Sequence, residues 1–104
     1  MLDELLIPPG VYLDGNPTEF VRFWVCDKED HVSLKIGLFE PKEREPEVWG
    51  TVIADICKHA ARALMQDDPA HGDFNTIVAR IENGFRNRLM KTTNFSGQLQ
   101  GTKN

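Results

Sequence analysis

The stretch from residue 20 to residue 65 constrains this chain more than any other. It reads as a β-hairpin, residues 20–26 and 31–38, followed by an amphipathic helix from about residue 46 to residue 65. Side chains alternate along a strand, so Val21, Phe23 and Val25 share one face of the first strand. Phe20, Arg22, Trp24 and Cys26 share the other. In the second strand Val32, Leu34, Ile36 and Leu38 lie opposite Ser33 and Lys35. A four-residue polar tip, residues 27–30, sets Cys26 opposite His31, Val25 by Val32, Phe23 by Leu34 and Val21 by Ile36. A slip of one residue would destroy this agreement.

The flanking segments are read with the same rules. Pro8-Pro9-Gly10 ends any early helical turn. Val11-Tyr12-Leu13 has the composition of a short edge strand, and residues 2–13 read as an apolar arm across the core. In the helix, Trp49, Ile53, Ile56, Ala60 and Ala63 recur at four- and three-residue steps, flanked by Val52 and Leu64. Pro46 suits its first turn, and Glu45 and Glu47 suit the helix dipole there. Asp67-Asp68-Pro69 and Gly72 break it. Asp73 is an N-cap for a second helix with the stripe Phe74, Ile77, Val78, Ile81, Phe85 and Leu89. Gly84 lies inside that helix and is read as a place for close packing. Residues 93–104 have little apolar content and read as a disordered tail.

The expected fold class is therefore α+β in ββαα order. An antiparallel hairpin, with a third short strand a possibility, packs on two C-terminal helices. A length of 104 residues suits one domain, taken as residues 1–92. The net charge of −4 argues against a nucleic-acid binder. It is uneven: residues 1–50 carry 11 acidic and 5 basic side chains, and residues 51–104 carry 5 acidic and 7 basic. The two halves could attract each other, within one chain or between copies. Two cysteines make no disulfide framework, and no apolar run reaches a membrane span. No signal peptide is recognisable, so a reduced, cytoplasmic protein is expected.

Four sets of residues bear on chemistry. Asp55 and His59, four apart on the first helix, would stand side by side, with Arg62 beyond. Together with Trp49, and Trp24 from the hairpin, they could contact a ligand. A structural hydrogen-bonded histidine is the plainer account, and no nucleophile accompanies it. Cys26 and His31, as cross-strand neighbours, could supply two metal ligands, short of the four a structural zinc needs. No metal and no cofactor is expected. Arg80, Arg86, Arg88 and Lys91 make the second helix basic, which its C-terminal dipole favours in any case; a weak anion patch is the alternative. Phe20, Trp24 and Cys26 put apolar area on the hairpin face opposite the expected core. Its cover could be the N-terminal arm, a second copy of the chain, or a ligand or partner protein.

Ile7-Pro8-Pro9, Arg22-Phe23-Trp24-Val25, His31-Val32-Ser33-Leu34 and Trp49-Gly50 with Ala54-Asp55, His59 and Ala61-Arg62-Ala63 resemble a family of small bacterial proteins, the domain of unknown function 5076. The resemblance covers most of residues 5–90. It implies the same order of a hairpin and two helices, and it brings no activity, cofactor or catalytic residues. The functional expectation is a non-catalytic binding or regulatory module acting through a protein–protein surface, as a homodimer or with a partner. A small-ligand pocket and a nucleic-acid accessory role are the alternatives.

Overall fold

A computed structural model describes residues 1–91 of the chain. The elements run β1 (Val21–Cys26), β2 (Glu29–Leu34), α1 (Glu45–Asp67) and α2 (Phe74–Met90), with short 3-10 turns at Pro9–Leu13, Lys42–Arg44 and Pro69–His71. The fold class is α+β in ββαα order. The expectation of a disordered tail over residues 93–104 lies outside the described residues. The chain divides into two compact units, one spanning Met1–Ile36 and one beginning at Gly37.

The first unit is built on the hairpin, and its register differs from the expected one by two residues. Val21 pairs with Leu34, Phe23 with Val32, Trp24 with His31, Val25 with Asp30 and Cys26 with Glu29. The cause is the turn. Asp27 and Lys28 have φ of 51° and 68°, the left-handed pair of a two-residue type I′ turn, whose twist matches that of the strands. Glu29 and Asp30 are thereby drawn from the tip into β2. A shift of two preserves every face, because the strand period is two. The pairs Val21–Ile36, Phe23–Leu34, Val25–Val32 and Cys26–His31 do not form. Val25 meets a carboxylate instead, and Ile36 and Leu38 lie beyond the strand.

The apolar face of the hairpin is open rather than covered throughout. Val21, Val32 and Leu34 are half-buried, but Phe23 is 60% and Val25 64% exposed. Val11-Tyr12-Leu13 is part of a 3-10 turn and not a strand; the prolines before it hold the φ values such a turn requires. The sheet of the described residues has two strands.

The second unit is a helical pair preceded by the Lys42–Arg44 turn. Pro46 sits in the first turn of α1 as expected. Asp68 accepts from the Ala70 amide at 2.9 Å, and Gly72 takes φ +113°, a value that favours glycine. Asp73 caps α2 by accepting from the Thr76 amide at 2.8 Å. The facing stripes of the two helices are buried unevenly. Ala61 and Ile77 are 0% and 3% exposed. Cys57 and Ile81, one turn further out, are half-buried. Ile53 and Phe85, one turn further again, are each 44% exposed. The stripe of α1 is thus buried at only part of its length, and Ile53 and Ile56 stand open. No atom lies within 4 Å of the position a Cβ would take on Gly84, so this glycine does not serve close packing among the described residues.

Candidate functional site

The first unit holds a cleft of about 550 Å³ between the N-terminal arm and β1. Leu5, Ile7, Val11, Val21, Phe23 and Trp24 supply its apolar walls. Arg22 is its one cation. Its guanidinium lies 3.5 Å from the Glu4 carboxylate and 3.4 Å from that of Glu19. Arg22 shares a strand face with Trp24, so Glu4 draws the arm toward the side that carries Phe20 and Trp24. Both aromatics are half-buried, while Cys26 is exposed. The arm does not close over a core: Leu2, Leu5 and Leu6 remain exposed. The expected interface residues therefore divide, and Phe23 and Val25 on the opposite face are the more open pair.

In the second unit the buried charge is Glu45. Its carboxylate accepts the Gly37 amide at 3.1 and 3.2 Å and the Trp49 indole N–H at 3.1 Å. Trp49 is thus fastened one helical turn from Glu45. Asp55 and His59 are both exposed. Among the described residues no hydrogen bond or ion pair joins them. Arg62 is exposed too, with its guanidinium 5.5 Å from the centre of the Phe74 ring, an attractive cation–π arrangement. Asp55, His59 and Arg62, at steps of four and three residues, share an exposed side of α1.

The basic set is also partly engaged. Arg86 is paired with Glu82 at 2.8 Å, and Arg80 donates to the His71 carbonyl at 3.4 Å. Arg88 and Lys91 are exposed at the end of α2, where cations suit the helix dipole. Cys26 and His31 are not partners, since Cys26 faces Glu29 and His31 faces Trp24. Among the described residues no group of three metal-ligating side chains comes together, and no helix is long and apolar enough to cross a membrane.

Two features are not legible in the sequence. The Glu45 clamp depends on Gly37, which lies eight residues back. The Arg22 triad depends on the arm folding beside β1. The i, i+4 spacing of Glu45 and Trp49 is a local signal for half of the clamp; nothing local announces the rest.

A comparison with curated proteins finds no match. A solved structure from the photosynthetic bacterium Rhodopseudomonas palustrus CGA009, described as a "putative pyruvate dehydrogenase", is similar in fold. It matches with a TM-score of 0.67 and 24% identity, over 94% of this chain and 93% of that one. At that identity the likeness carries the fold and nothing of the activity. The family model described as Domain of unknown function (DUF5076) matches residues 4–93, and the chain belongs to that family.

Proposed function

We propose that this chain is a small cytoplasmic bacterial protein that works as a non-catalytic binding or regulatory module, and that its first partner is a second copy of itself. One observation carries the reading. The buried hydrophobic side chains among the described residues are Ala61 and Ile77, while Phe23, Val25, Ile53, Ile56, Phe85 and Leu89 stay open to solvent. Burying a side chain the size of Ile77 contributes about 1.5–3 kcal/mol. Ordering one residue costs roughly 1–2 kcal/mol in backbone entropy alone. So small a core leaves folding dependent on further burial, and exposed apolar patches are the usual mark of an interaction surface. Asp55 and His59, the acid–imidazole pair that an enzyme could have used, are both exposed.

The test is thermal unfolding followed at protein concentrations spanning three decades. A chain that folds as a dimer shows a midpoint that rises with concentration, by mass action. A midpoint independent of concentration would remove the self-association and leave the reading without support.

A further inference from the structure

Among the described residues, the backbone of the hairpin pairs with no strand beyond β2. The Lys35 amide donates to the Phe20 carbonyl at 2.9 Å. Antiparallel pairs alternate between those that exchange hydrogen bonds and those that do not. Counting from that bond, Arg22–Ser33, Trp24–His31 and Cys26–Glu29 are the exchanging pairs. The amides and carbonyls of Asp30, Val32 and Leu34 therefore turn outward from β2. The arm lies on the other side: the cleft it forms is walled by Val21, Arg22, Phe23 and Trp24 of β1 and by no residue of β2. An edge of this kind is a template for another strand, and a hairpin by itself is marginal in water.

We propose that β2 pairs antiparallel with β2 of a second copy, about a twofold axis at Val32, to make one four-stranded sheet. The inference rests on the self-association proposed above and names the strand edge at which the two copies join, not the apolar faces. Identical strands related by a twofold axis pair isologously. Full overlap of residues 29–35 centres the axis on residue 32. Val32 then meets the partner's Val32, and Asp30 meets the partner's Leu34. All three are outward-turned residues, so the hydrogen bonds close without any change of strand geometry. On the other face Glu29 meets the partner's Lys35, and Lys35 meets the partner's Glu29. Centring the axis on residue 31 or 33 would set Glu29 against Ser33 or Gly37 and lose both ion pairs. The apolar face carrying Val21, Phe23, Val32 and Leu34 doubles in width, as one continuous surface across the axis.

Charge reversal tests the pairing. Glu29→Lys sets two ammonium groups together at each of the two sites, and Lys35→Glu sets two carboxylates together at each. Each variant alone should dissociate more readily than the wild type by about tenfold or more, since like charges directly opposite destabilise a strand pair. An equimolar mixture of the two variants restores both ion pairs, and sedimentation velocity should show it dimeric where each variant alone is monomeric. Variants that dimerise as well as the wild type, or a mixture that stays monomeric, would overturn the β2 pairing while leaving a dimeric wild type intact. A monomeric wild type would overturn the self-association itself. Hydrogen exchange on the wild type gives an independent reading. The amides of Asp30, Val32 and Leu34 should be protected at high concentration and lose protection on dilution. Free exchange of all three at every concentration would contradict the pairing.

Discussion

The carboxylate of Glu45 accepts the indole N–H of Trp49 at 3.1 Å, one turn along the same helix. It also accepts the amide of Gly37, whose φ of +89° belongs to the left-handed region. Glu45 is thus a buried charge with its neighbours' donors turned toward it, and hydrogen bonds to charged groups are the stronger kind. Replacement by alanine leaves the Gly37 amide and the Trp49 indole without this acceptor. Glu45→Ala should lower stability by about 1–3 kcal/mol, read from urea unfolding. Glu45→Gln keeps one oxygen acceptor and should lose less. Equal midpoints for wild type and Glu45→Ala would show that the clamp contributes nothing.

Asp73 gives the second unit a dependence on acid. The Thr76 amide, and then the Thr76 hydroxyl, hold its carboxyl below the ordinary value of 3.8. A carboxylate depressed by folding stabilises the fold fully above its unfolded value, and that contribution is lost as pH falls through the folded value. The window therefore opens near 3.8 and extends downward. Asp73→Asn keeps a capping oxygen but does not titrate, so its stability should vary less with pH there. The comparison is of urea midpoints for the two proteins between neutral pH and the acid limb. Parallel curves would exclude Asp73 as a source of the acid dependence.

The turn at the hairpin tip is open to improvement. Asp27 and Lys28 occupy left-handed φ values that asparagine and glycine adopt more readily. Asp27→Asn with Lys28→Gly should raise stability by roughly 0.5–1 kcal/mol and preserve the pairing of Cys26 with Glu29. Cross-strand nuclear Overhauser effects between Phe23 and Val32 check the register. Absence of those effects from the wild type would mean that the native tip is not the two-residue turn.

Gly84 offers the complementary change within a helix. Open space surrounds the position its Cβ would take, and glycine in a helix interior costs about 1 kcal/mol relative to alanine. Gly84→Ala should raise the unfolding midpoint accordingly. An unchanged or lower midpoint would contradict this reading of Gly84.

What can be read from the residues depends on how local each cause is. The faces of both strands follow from alternation alone and survive the register shift, because parity is insensitive to a slip of two. The register itself is hidden, since Asp27-Lys28 lacks the glycine or asparagine that announces a type I′ turn. The Asp73 cap and the break at Pro69 and Gly72 are legible, as both lie within a few residues of what they control. Val11-Tyr12-Leu13 misleads because its β propensity is set against prolines that shape the chain one step earlier. Asp55 and His59 have the right spacing, but spacing does not decide whether a pair faces solvent. Glu45 reads as a dipole partner because its second contact, Gly37, belongs to another segment.

The exposed apolar side chains of both units, Phe23 and Val25 on the hairpin and Ile53 and Phe85 on the helices, support the proposal that the chain associates with a second copy. Sedimentation equilibrium of the wild-type chain at micromolar concentration tests this most directly. The account predicts a mass twice that of the chain, falling toward the single-chain mass only on dilution. A single-chain mass across the whole range would contradict it.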